Sequence, residues 1–384
     1  MIAQYDLIAQ SQEYNLSNAN KNYLPQFSIT AIGGIIDGFP SFSPNGGSST
    51  GSDFNLIGIG QINQVIWDGG ITSAQKDMVR AQSQVDLAQL EVSIYQLDER
   101  VNDLYFSVLL FDEKLSQNQL FMKNLEVQVN KVEKAIESGI AYNSDLQEIQ
   151  VEVINAEQRQ LEIQYARQAY ISMLSAMMGK EIPAETEFVA PISQYNPATA
   201  SIQRPEVKAF DQQLAFIDAQ RKMNKSNLYP KIGLIGFGTL IEPGVSFGIS
   251  EIDHILVAGL NLTWDIGGLY RNGNNNKLEE VQRSMVENQK ETFLYNTNLQ
   301  LTQLFIEIQK YEQLLAQDQK ITELKTSIAQ AYQVKYDNGV ATMTQLIERL
   351  NDENLAVQNQ TVHEVQYLMA LYKHQTTSGN SLNP

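Results

Sequence analysis

The chain has 384 residues, 43% of them hydrophobic, with 44 acidic against 27 basic side chains and a formal charge of −17. That balance argues against nucleic acid or an anionic surface as the main ligand, because both need basic patches to replace counterions, and it suits a water-filled lumen or cationic cargo. The absence of cysteine removes disulfides, thiolate chemistry, Cys-based zinc sites and, from the chain as given, any acylated cysteine, and no apolar run approaches the roughly 18 to 20 residues of a membrane-spanning helix, leaving strands or no membrane at all.

Residues 1–23 read as a polar-apolar helix rather than a basic region followed by an apolar core, so no signal peptide is visible and an exported chain is expected to have had its start trimmed. Strands are predicted at about 27–36 and 54–66, joined by an exposed Gly, Ser and Pro loop at 37–53, "DGFPSFSPNGGSSTGSD". The second strand runs into "VIWDGG", where Trp67 ends the apolar alternation and Asp68, Gly69 and Gly70 permit a sharp turn. From 71 to 138 there is neither Pro nor Gly, and Leu87, Leu90, Ile94, Leu97, Val101, Leu104, Val108, Phe111 and Leu115 step by 3 and 4. This pattern predicts one helix over 71–137, about 100 Å long, packed lengthwise on a partner helix. A turn at Ser138, Gly139, Ile140 and Ala141 leads to a helix over 142–178, and 180–204 reads as a linker.

The same order then returns: a helix at 205–227, strands near 231–241 and 254–266 around a loop at 242–253, a long helix over 274–337, a turn at Asn338, Gly339, Val340 and Ala341, and a helix over 341–378. Val101, Leu104, Val108 and Phe111 answer Leu301, Leu304, Ile308 and Tyr311 at a shift of 200, and Gly139, Leu146, Glu148 and Gly179 answer Gly339, Leu346, Glu348 and Gly379. The chain therefore reads as two structural repeats, 1–190 and 191–384. The second corner is "LTWDIGG", with Trp264, Asp265, Gly267 and Gly268 in the places of the first.

In "HILVAGLNLTWD", Leu256, Ala258, Leu260, Leu262 and Trp264 form one wholly apolar face. Such a face suits an outer-membrane β-barrel strand, with the Trp at the boundary, and equally a half-buried strand of a soluble sandwich. Four strands cannot close a barrel, since the smallest membrane barrels use about eight, so in the first case several chains must contribute. Catalysis finds no support. His254, His363 and His374 are isolated, no HExxH or nucleophile elbow occurs, and "GIG" and "GFG" sit within strands. Met177 and Met178 suit core packing better than copper, so neither metal nor cofactor is expected.

In the order and duplication of "YLPQ" and "LYP", "VIWDGG" and "LTWDIGG", and "ESGIAYNSDLQ" and "DNGVATMTQLIE", the chain resembles the TolC-like outer-membrane efflux proteins over essentially its whole length. The resemblance implies an α+β membrane protein, a homotrimer in which each chain gives four transmembrane strands to a shared 12-stranded barrel and long antiparallel helices to a periplasmic α-barrel. Residues 180–204 and the C-terminal stretch would belt its middle. It implies an exit duct in the bacterial outer membrane for a tripartite efflux or type I secretion system, contacting lipid, a periplasmic adaptor and an inner-membrane transporter, with no nucleic acid. The family usually has an export signal and further residues ahead of the first helix, so this sequence reads as truncated. The alternative is a soluble, elongated helical scaffold whose strands form a small β dimerisation domain.

The resemblance also places adaptor contacts at the two turns, Ser138 to Ala141 and Asn338 to Ala341, and a periplasmic gate at Asp145, Glu148, Gln345, Glu348 and Tyr336. Gln345 departs from an acid common in the family, and Ala341 from a basic residue found in some members. The residues themselves carry a plainer reading: Ser144 and Thr344 as N-caps with acids in the first turn, and Tyr336 as a continuation of the packing seam.

Overall fold

The computed structural model describes residues 2–35, 54–191, 195–241 and 253–380. The predicted loops at 37–53 and 242–253 lie outside them, apart from Asp253, which opens a strand. In chain order the elements are α1 (Ile2–Asn20), a 3-10 turn (Lys21–Tyr23), β1 (Gln26–Ile35), β2 (Phe54–Trp67), α2 (Ile71–Glu137) and α3 (Asn143–Met178). After a second 3-10 turn (Pro197–Thr199) come α4 (Pro205–Ser226), β3 (Lys231–Ile241), β4 (Asp253–Thr263), α5 (Gly267–Asp337) and α6 (Met343–Ser378).

The two longest helices have 67 and 71 residues. Helix α5 starts seven residues before its predicted first residue. "RNGNNN" at 271–276 has poor helix propensity and reads as a loop. A local cap and a tertiary contact override it: Asp265 accepts the N–H of Gly268 at 3.3 Å, and the buried Glu279 accepts a hydrogen bond from Asn224 of α4 at 2.7 Å.

The chain forms two compact units, Met1–Glu91 with Glu206–Lys290, and Val92–Pro205 with Glu291–Pro384. In the first unit the strands make one antiparallel sheet in the order β1-β2-β3-β4, with Gly60 opposite Ile29 on one side and Gly238 on the other. Register sorts the side chains. Phe27 and Ile29 of β1, Ile62 of β2, Leu234 and Leu240 of β3, and Leu256, Leu260 and Leu262 of β4 share one face with Gly58, Gly60, Gly236 and Gly238, and these large apolar groups are exposed. The opposite face carries Ser28, Thr30, Gln61, Asn63, Asn261 and Thr263 among apolar neighbours. A bulge between Val65 and Trp67 moves the indole by one position, so that Trp67 pairs with Ile232 and joins the apolar face; without the bulge, alternation would place it on the other. Among the described residues, β1 and β4 each pair on one side only.

The second unit is helical. Val132, Ile149, Met343, Leu346 and Ile347 bring α2, α3 and α6 together near the two helix turns, with Ala141, Tyr332 and Tyr336 packed around them. Phe121, Leu125 and Ala156 seal α2 on α3, Ile308, Tyr311, Ala370 and Leu371 seal α5 on α6, and Phe106, Leu109 and Tyr372 join α2 to α6.

Candidate functional site

The two strand-to-helix corners share a spelling and differ in build. At the first, Asp68 is 6% exposed and its carboxylate accepts from the N–H of Thr72 at 2.7 Å, the N–H of Gly70 at 2.9 Å and the hydroxyl of Tyr23 at 3.0 Å. From three residues ahead of α2 its carboxylate caps the helix start and anchors the entry to β1. Burial opposes ionisation of Asp68, but these hydrogen bonds, with one from the Thr72 hydroxyl, outweigh it and hold the pKa below the ordinary carboxylate value. Gly69 and Gly70 have φ of 71° and 88°, and a Cβ on Gly69 would lie 2.8 Å from that of Tyr229, so glycine is required there twice over.

The second corner needs no left-handed backbone. Gly267 and Gly268 belong to the first turn of α5, because the inserted Ile266 lengthens the connection, and the shared two-glycine turn expected from sequence holds only for the first corner. The Asp265 side chain is 63% exposed and has only the Gly268 N–H at 3.3 Å and Arg271 at 3.5 Å as partners among the described residues. Trp264 lies just past the end of β4, and its Nε1–H donates to the Leu228 carbonyl at 3.1 Å, tying the corner to the α4–β3 junction.

At the helix turns, Gly139 and Gly339 both adopt φ near 70°, and the following N–H groups of Ile140 and Val340 donate to Ala135 and Lys335, each at 2.8 Å. This closure satisfies the last carbonyls of α2 and α5. Ser138 and Asn338 bond back to the preceding turn, and Ile140, Tyr142 and Val340 project into solvent. The N-caps are not Ser144 and Thr344 but Tyr142 and Thr342, two residues earlier. Asp145 accepts the Tyr142 N–H at 3.1 Å, while Thr342 and Gln345 cap each other reciprocally at 3.3 and 3.0 Å. Thr344 is thereby free to cross to α3, where its hydroxyl donates to Glu148 at 2.8 Å.

The five expected gate residues are thus engaged differently: Asp145 and Gln345 on their own helix starts, Glu148 on Thr344, and Glu348 on Arg349 at 2.8 Å. Tyr336 packs on the cluster between the turns, and burial, then the charges of Asp145 and Asp337, raise its phenol pKa. Sequence reasoning missed the ionic chain behind Glu348. Asp352 meets Lys325 at 2.7 Å and Arg349 at 3.2 Å, the Arg349 guanidinium lies over Tyr332, and the Lys325 bond is the main cause of a lowered Asp352 pKa.

The linker 180–204, in its described parts, is pinned by two arginines with no motif to announce them. Arg167 of α3 binds Asp112 and the carbonyls of Ala184 and Thr186, and Arg204 binds Glu99 at 2.6 Å with its guanidinium over Tyr95. Tyr195 shares its hydroxyl with His374 at 2.7 Å, and the Gln203 N–H donates to the Ser378 carbonyl at 2.7 Å. His363 instead pairs with Asp318 at 2.6 Å; the His254 side chain lies outside the described set. Among the described residues no group of three His, Cys, Asp or Glu could hold a metal ion, and no helix is long and apolar enough to cross a membrane.

Residues 3–180 match the family model described as outer membrane efflux protein. A search of curated proteins finds no match. Solved structures similar over almost the whole chain include a membrane protein from Pseudomonas aeruginosa (16% identity, TM-score 0.70, 98% of this chain and 90% of that one). The outer membrane protein VceC from Vibrio cholerae (11%, 0.68, 97% and 92%) and the CmeC outer membrane channel from Campylobacter jejuni (11%, 0.68, 98% and 82%) show the same fold. The family match thus covers just under half of the chain, residues 3–180, and the second half repeats the same element order, in a whole whose fold is similar to that of these outer membrane proteins.

Proposed function

We propose that this protein is the exit duct of a tripartite efflux or type I secretion system, a homotrimer whose three sheets close one 12-stranded barrel in the outer membrane. The observation that carries the reading is the sheet itself, with one face of mostly exposed apolar groups and glycine and, among the described residues, two strands paired on one side only. An apolar face of this kind suits hydrocarbon, and unpaired edges in hydrocarbon demand closure by other strands. Four strands per chain fall short of the roughly eight of the smallest barrels, so copies must supply the rest.

In this reading the helices lie in the periplasm, and the solvent-facing Ile140, Tyr142 and Val340 beside Gly139 and Gly339 offer apolar anchors to a periplasmic adaptor that couples the duct to an inner-membrane transporter. Asp145, Glu148, Gln345, Glu348 and Tyr336 line the constriction, and its carboxylates favour cations. The duct is passive and carries no catalytic step. Conductance of the purified protein in a planar bilayer tests the reading. Discrete steps that grow in a Glu148→Ala/Glu348→Ala variant are expected. Steps of unchanged size would remove the gate assignment, and protein that stays monodisperse without detergent and never conducts would remove the duct.

A further inference from the structure

We infer that the second strand-to-helix corner is a docking surface for anionic phospholipid, holding the phosphates of the membrane leaflet that faces the helices; this rests on the outer-membrane reading above. The surface combines three basic side chains, Lys225, Lys231 and Arg271, with three exposed aromatic ones, Tyr229, Trp264 and Tyr270, the last 84% exposed. They come from the end of α4, the start of β3, the end of β4 and the first turn of α5, and the Trp264 bond to the Leu228 carbonyl holds the two junctions together.

Two features point to lipid as the occupant. The surface continues the apolar sheet face, whose last members Ile232 and Leu262 pair with each other beside Trp67. Aromatic rings in such a place favour the boundary between hydrocarbon and water, and Lys and Arg can lay their stems on apolar surface while the cations reach the headgroups. Charge is the second feature. Lys231 is the only charged group among the described strand side chains, and the segments 225–231 and 264–271 carry three cations against the single carboxylate of Asp265, in a chain whose net charge is −17. Lys225 and Lys231 have no ionic partner among the described residues, and Arg271 has only the long contact to Asp265. The first corner is built otherwise: its aspartate is buried and spent on Thr72, Gly70 and Tyr23.

The chain's two tryptophans supply the probe. With Trp67→Phe, Trp264 is the sole tryptophan, excited selectively over the tyrosines, and the protein is placed in phosphatidylcholine vesicles containing equal fractions of either brominated phosphatidylglycerol or brominated phosphatidylcholine. Brominated phosphatidylglycerol is expected to quench Trp264 more strongly, corresponding to enrichment by about fivefold per basic side chain. Lys225→Gln/Lys231→Gln/Arg271→Gln should abolish the difference, whereas Lys123→Gln/Lys131→Gln/Lys134→Gln on α2, an equal charge change, should preserve it. If the triple corner variant does not insert, Arg271→Gln alone should lower the enrichment about fivefold. Equal quenching by both lipids, or a preference surviving the corner substitutions, overturns the inference. So does absence of quenching by either lipid, which would mean that protein, such as a second copy, covers the corner. Conductance from the same vesicles separates the two readings: a conducting protein without lipid preference removes this inference alone.

Discussion

Replacing Asp68 and Asp265 by alanine in turn should give very unequal losses, although the two aspartates occupy matching places in the sequence. Asp68→Ala removes the acceptor of three hydrogen bonds of 2.7 to 3.0 Å, one from the N–H of Thr72, a residue only 2% exposed. Loss of an N-cap costs about 1 kcal/mol, and a buried N–H left without a partner costs about 1–3 kcal/mol more, for a total of about 2–4 kcal/mol. Asp265→Ala gives up a 3.3 Å bond to Gly268 and a 3.5 Å contact to Arg271, both open to water, worth about 0.5 kcal/mol. Hydrogen exchange read by mass spectrometry on peptides spanning 66–78 and 263–275 reports each corner locally. Protection at the start of α2 should fall about 30-fold or more in Asp68→Ala, and at the start of α5 by only about twofold in Asp265→Ala. Comparable losses at the two corners would refute the reasoning. Acid should imitate the first variant. Because the Asp68 pKa is lowered in the folded state, its contribution is complete above the ordinary carboxylate value of 3.8 and disappears as pH falls through the lower folded value.

Gly379→Ala should destabilise far more than Gly139→Ala. Both have positive φ, but a Cβ at 379 would sit 2.4 Å from the Gln203 carbonyl carbon and 2.5 Å from the Arg204 nitrogen, whereas at 139 it meets open space and costs about 1 kcal/mol. Limited proteolysis within 180–204 should detect the difference. Burial lowers the pKa of His374, so the folded state resists its protonation; stability should be complete above the ordinary value of 6.5 and decline as pH falls below it, and His374→Gln should flatten that slope in thermal melts. Thr344→Val and Glu148→Ala should change conductance alike, and the double variant should add little, because the Thr344 hydroxyl bonds Glu148 directly. Additive effects would show that the two side chains act separately.

The long helices were legible because α2 keeps its apolar steps of 3 and 4 without a breaker, and the corners because Trp, Asp and paired Gly recur at matching places. What the sequence concealed depends on contacts between distant segments. Asp68 differs from Asp265 in its bonds to the Tyr23 hydroxyl and to the Gly70 and Thr72 N–H groups, and only the ladder shows the bulge that carries Trp67 onto the apolar face. The cap at Thr342 was readable after all, since Thr342-Met-Thr-Gln345 spells the spacing of a capping box; attention to the acids moved the expected cap to Thr344. Arg167 and Arg204 gave no warning, as their partners lie 55 and 105 residues away, and an isolated arginine on a polar helix or in a linker looks like any other solvated charge.

The division into units also bears on how such a chain could arise. Each unit is built from two separate stretches, one lying wholly or mostly in each half of the sequence, so a single half, however well it copies the other, can complete neither unit. A gene encoding only one half would have to be expressed in twice the copy number and matched to itself. Fusion fixes the stoichiometry and leaves the two halves free to differ, as they do at the corners, where Asp68 is buried and bonded on three sides and Asp265 is exposed.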